Sequence, residues 1–107
     1  MNFKYEVNPI FLFTSPIKIN QNHEGLAGMI RKHFGDNFLI SGAAFIFVGR
    51  SRRNCKILYY DGTGFVMIYK KFVIQVFPHV DYLDEIKEIT YQDFELLFSG
   101  RLHKISL

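Results

Sequence analysis

Hydrophobic positions follow two different rhythms along the chain. Between positions 22 and 35, Leu26, Met29, Ile30, His33 and Phe34 recur at steps of three and four while Arg31 and Lys32 fall elsewhere on the wheel, the spacing of an amphipathic helix. Asn22 can cap its start, basic residues occupy its last turn, and Gly35 can end it. Gly25 and Gly28 each weaken such a helix by about 1 kcal/mol relative to Ala, and their small size predicts a helix lying close on a sheet. From Ala43 onward the apolar residues run together instead. Stretches 43–48, 55–60 and 65–69 are rich in β-branched and aromatic residues and predict three consecutive strands. The connectors Gly49-Arg50-Ser51-Arg52-Arg53-Asn54 and Asp61-Gly62-Thr63-Gly64 have the length and composition of hairpin turns. A short strand is expected at 10–13, closed by Thr14-Ser15-Pro16 and extended by Ile17 to Ile19. The stretch 72–77 predicts a further strand ended by Pro78. A second helix is expected at 91–98, with Thr90 as cap, Asp93 three residues on, Phe94, Leu97 and Phe98 facing inward, and Gly100 as stop.

The predicted strands do not alternate cleanly, so both faces of the sheet should be covered. The expected fold is α+β: one small domain over residues 1–107, an antiparallel sheet of about four to five strands with two helices packed on it. The length agrees, because 107 residues fit one domain with its own core, and no repeat or linker composition divides the chain.

Charge is distributed unevenly beneath a net value of +3. Between 50 and 71, six cations (Arg50, Arg52, Arg53, Lys56, Lys70 and Lys71) stand against Asp61 alone, a local balance of +5. Between 81 and 95, six acids (Asp81, Asp84, Glu85, Glu88, Asp93 and Glu95) stand against Lys87, a balance of −5. The six cations are the candidate phosphate contacts, with Tyr59 and Tyr60 as aromatic neighbours, because cations attract the backbone of DNA and aromatic faces stack on bases. Two other readings stand beside this one. The hairpin can be a solvated tip with its tyrosines in the core, or it can meet an acidic surface on another protein. Opposite charges within one chain also permit self-association.

Candidate chemistry is sparse. The lone Cys55 cannot form an internal disulfide and fits a buried thiol in a reducing compartment, so a cytoplasmic location is the default. His23, His33, His79 and His103 lack the paired spacings of a metal site. Gly62 and Gly64 join two predicted strands and precede no helix that could hold a phosphate, so they read as turn glycines with Asp61 as the turn acid. Neither metal, cofactor nor enzymatic activity is expected. The acidic N-terminus and the short apolar runs predict no secretory signal and no membrane span.

Several segments, in order and spacing over some 80 residues, resemble one family. Glu24-Gly25-Leu26-Ala27, Phe45-Ile46-Phe47-Val48-Gly49-Arg50, Lys56-Ile57-Leu58-Tyr59-Tyr60-Asp61-Gly62-Thr63-Gly64-Phe65, Tyr69-Lys70-Lys71 and Ile89-Thr90 with Phe94, Leu97-Phe98 and Gly100 are similar to the TnpB accessory proteins of insertion sequence 66 type bacterial transposable elements. These are distinct from the RNA-guided nucleases that share the name. The aromatic pair Tyr59-Tyr60 stands where the family usually has Trp. Lys18, Asn20 and Gln21 stand where it usually has Asp, Arg and Lys. The resemblance implies a non-catalytic role in transposition beside the transposase and other proteins of the same element, with duplex DNA as a further expected partner.

Overall fold

Local capping sets the helices where the pattern places them. In the computed structural model, which describes residues 8–80, 84–99 and 104–105, helix α1 (His23–Phe34) starts at Asn22, whose Oδ1 accepts the Gly25 N–H at 3.0 Å. Gly35, at φ +86°, ends it, and its N–H donates to the Arg31 carbonyl. A one-turn helix α2 (Asp36–Leu39) follows. Helix α3 (Tyr91–Phe98) starts at Thr90, whose hydroxyl accepts the Asp93 N–H at 3.1 Å. The proposed stop at Gly100 lies outside the described residues.

Strands β1 (Ile10–Phe13), β2 (Ala44–Val48), β3 (Asn54–Tyr60), β4 (Phe65–Lys71) and β6 (Ile86–Ile89) form one sheet in the order β4-β3-β2-β1-β6. Strands β5 (His79–Val80) and β7 (Lys104–Ile105) pair separately. Three of the four pairings in the large sheet are antiparallel, and β1 with β2 is parallel. The α+β fold with a mainly antiparallel sheet is as expected, and the one parallel pair has α1 and α2 as the crossover that it needs. Ile17 adds a parallel bridge to Gly49 beyond the end of β1.

Two expectations are corrected. Residues 72–77 are a loop rather than a strand, because the N–H groups of Phe72 and Phe77 donate to the carbonyls of Arg53 and Arg52 and fold the segment back onto the β2–β3 hairpin. The glycines of α1 face solvent, and Leu26, Ala27 and Ile30 make the contact with the sheet. A Cβ on Gly28 would meet nothing within 4 Å. Gly28→Ala is therefore expected to raise stability by about 1 kcal/mol, read as a higher denaturant midpoint with unchanged slope.

The sheet is covered on both sides. On one, Leu26, Ala27, Ile30 and Leu39 of the helices pack on Phe13, Phe45, Phe47 and Leu58. On the other, Phe94 and Leu97 of α3 join Phe72 and Phe77 of the loop over Leu12, Ile46, Ile57 and Tyr59. Cys55 is in this second layer, fully buried, and burial pushes its thiol up to about 12 against the opposing pull of Lys70. Because that value lies above the thiol's ordinary 9.0, its contribution to stability is complete below about pH 9 and is lost as the pH climbs toward 12. At neutral pH a thiol reagent should leave the folded protein unmodified and react fully in denaturant, measured by mass spectrometry.

Candidate nucleic-acid interface

The β2–β3 hairpin and the end of β4 lie at the same end of the sheet, since Asn54 pairs with Lys71 and Cys55 with Lys70. Within the hairpin, Gly49 fits a crowded spot: a Cβ there would fall 2.0 Å from Asn54 Oδ1, an oxygen buried without a donor among the described residues. Arg52 takes φ +58°, the left-handed geometry that lets the tip close, and its carbonyl then receives the Phe77 N–H. The hairpin is thus held from both sides, by Arg50 N–H on the Ile17 carbonyl and by the 72–77 loop.

The six candidate cations divide by location. Arg50, Arg53 and Lys71 are exposed and Arg52 is half-buried at this end of the sheet. Among the described residues, neither of the ion pairs found, Arg31 with Asp36 and His33 with Glu85, involves any of the four. Lys56 is buried; its Nζ donates to the Gln21 carbonyl at 2.7 Å and sits 6.0 Å from the Tyr69 ring centre, tying β3 to the start of α1. Lys70 donates to the Phe98 carbonyl and lies over the Phe72 and Phe98 rings at 4.9 and 4.5 Å. A cation there meets the negative end of α3. These two lysines hold helices, and the other four present charge to solvent.

The parallel bridge at Ile17 brings exposed Lys18 to the same end, beside Arg50. Charge counting along the chain kept Lys18 apart, because its neighbourhood depends on a pairing that spans some 30 residues. The tyrosines separate as strand geometry requires: Tyr59 packs in the α3-side core, where burial pushes its phenol up, and half-buried Tyr60 meets Phe65 edge-on at 5.3 Å. Both lie toward the end of β3 away from the cations.

Asp61 organises the opposite turn. Its Oδ1 accepts the Thr63 N–H at 2.9 Å, the Thr63 hydroxyl at 2.9 Å and the Gly64 N–H at 3.0 Å, which holds its carboxyl below the usual carboxylate range. Gly62 takes φ +104° there. Tyr59, Tyr60, Asp61 and Gly62 line a cleft of about 260 Å³ with Asn8 and Ser41, smaller than ordinary ligand pockets. Among the described residues no group of three His, Cys, Asp or Glu side chains could hold a metal ion, and no helix is long and apolar enough to cross a membrane.

Comparison with protein families matches residues 8–105 to the family described as IS66 Orf2 like protein. The chain belongs to this IS66 Orf2-like family. The match spans both helical layers, the whole five-stranded sheet and the basic end. An IS66 Orf2-like protein is associated with transposition, the role expected from the resemblance of the hairpin and helix segments. Neither curated proteins nor solved structures yield a match.

Proposed function

We propose that this chain is a non-catalytic accessory protein of IS66-type transposition that lays the basic end of its sheet on duplex DNA while the transposase of the same element supplies the chemistry. The supporting observation is the set of four cations, Arg50, Arg52, Arg53 and Lys71, gathered at one end by strand pairing and absent from the ion pairs among the described residues. Exposed cations without carboxylate partners attract a polyanion at long range, and the attraction weakens with salt. The placement of Lys56 and Lys70 on backbone carbonyls narrows the contact set to these four, with Lys18 at its margin. Tyr60 and Tyr59 take no part, being at the other end of β3.

A protein-interaction module is the second reading, since a carboxylate surface would meet the same cations. Fluorescence anisotropy of a labelled random duplex at low salt separates the two. Binding that weakens steadily as salt rises is the expected result; retention of a transposase partner by a protein that binds no duplex at low salt would favour the module.

A further inference from the structure

Strand β4 has one neighbour in the sheet among the described residues and leaves its other edge open. Which backbone groups point to that edge follows from the ladder. Asp61 N–H donates to the Gly64 carbonyl and Phe72 N–H to the Arg53 carbonyl, and the register pairs Tyr59 with Val66, Ile57 with Ile68 and Cys55 with Lys70. In an antiparallel pair these alternate residues turn their N–H and C=O groups toward β3. Phe65, Met67, Tyr69 and Lys71 therefore direct theirs outward.

The side chains of three of these residues are apolar and uncovered. Phe65, Met67 and Tyr69 are 37, 40 and 51% exposed, and Val73, Ile74 and Val76 of the following loop are exposed too. Six of the seven large exposed hydrophobic residues among those described lie between 65 and 76, with Ile40 the exception. The other sheet edge is protected: β6 is four residues long and carries Lys87 and Glu88. Strand β4 runs seven residues in unbroken register with no proline or bulge, so nothing of that kind blunts it.

We infer that β4 pairs with β4 of a second copy of this chain across a two-fold axis, antiparallel and centred on Ile68, joining two five-stranded sheets into one of ten. This register sets Met67 against the second copy's Tyr69 and Phe65 against its Lys71, so all four outward residues of each strand exchange hydrogen bonds. Centring on Met67 or Tyr69 would leave an outward residue without a partner at a strand end. Charge agrees with the same arrangement. Antiparallel pairing sets Lys71 opposite the second copy's Phe65 and turns this basic end toward its Asp61 turn, whereas parallel pairing would bring the two basic ends together. It also carries the loop with Val73 and Ile74 toward the other copy's Asp61–Gly64 turn, where their exposed side chains gain cover. The Lys71 side chain stays on the sheet face, so the pairing is independent of DNA contact.

Light scattering on the full chain tests this directly. The wild type should have twice the 12.6 kDa chain mass at about 100 μM and dissociate on dilution. Met67→Pro removes an outward N–H without touching the bonds to β3, and it should return the mass to one chain with the circular dichroism spectrum retained. Ile68→Cys provides a second readout that does not depend on that variant folding. Its thiol would face its own symmetry mate in a closely spaced, non-hydrogen-bonded pair and should give a covalent dimer on mild oxidation, whereas Val66→Cys should not. A single-chain mass at every concentration, a dimer that persists in folded Met67→Pro, or equal cross-linking at 66 and 68 would overturn the inference.

Discussion

Replacing Arg50, Arg53 and Lys71 together by Ala should flatten the salt dependence of duplex binding by three contacts. On B-DNA each neutralised phosphate adds about 0.9 to the slope of log affinity against log salt, so the triple variant should lose about 2.7 from that slope. Between about 50 and about 200 mM salt the ratio of wild-type to variant affinity should therefore shrink by about 40-fold. The three side chains are exposed and outside the observed ion pairs, so the fold should be little affected, with unfolding free energy within about 0.5 kcal/mol of wild type. Lys56→Ala should behave in the opposite way, losing stability through the freed Gln21 carbonyl while leaving the slope unchanged. Anisotropy titrations in four salt concentrations, paired with urea denaturation, separate these outcomes. A parallel displacement of the triple variant's line, with no change in slope, would remove these three residues from the contact.

The second large effect lies in the core. Phe45 is fully buried on β2, with the rings of Phe11, Phe34 and Phe38 centred 5.8, 5.6 and 6.1 Å from its own. Truncation removes a ring that joins β1, α1 and α2 at once, and the partners are fixed by their own strands and helices, so the cavity cannot close. Phe45→Ala should cost about 3–5 kcal/mol, a large part of the roughly 5–15 kcal/mol that holds a domain folded. The thermal midpoint should fall by on the order of 15–30 °C. Tyr69→Ala, on the exposed face of β4, is the matched control and should move it by only a few degrees in the absence of self-association. Differential scanning calorimetry reads both.

What could be seen in the sequence was local. The caps at Asn22 and Thr90, the Asp61 turn and the three strands from 43 onward depend on residues within a few positions of one another, and each occurs where the pattern places it. The parallel β1–β2 pair, the loop at 72–77 and strand β6 depend on distant partners. Strand β6 reads Ile-Lys-Glu-Ile, which counts as part of an acidic segment until β1 is placed beside it and the sheet buries Ile89. The same distance effect divided the cations. Nothing near Lys56 in the chain announces the Gln21 carbonyl, and nothing near Lys70 announces the end of α3. Lys18 needed the bridge at Ile17 to join Arg50. Tyr59 and Tyr60 were legible in part: adjacent strand residues must face opposite sides, which sends one of the pair into the core.

If the basic end is the DNA surface, an amide chemical-shift titration of labelled protein with a short duplex at low salt will map the contact onto it. Shifts should concentrate at Lys18, Arg50 to Asn54 and Lys71, with the Asp61 to Gly64 turn and helix α1 unmoved. Shifts confined to that turn or to α1, or none at saturating duplex, would rule out the basic end as the DNA surface.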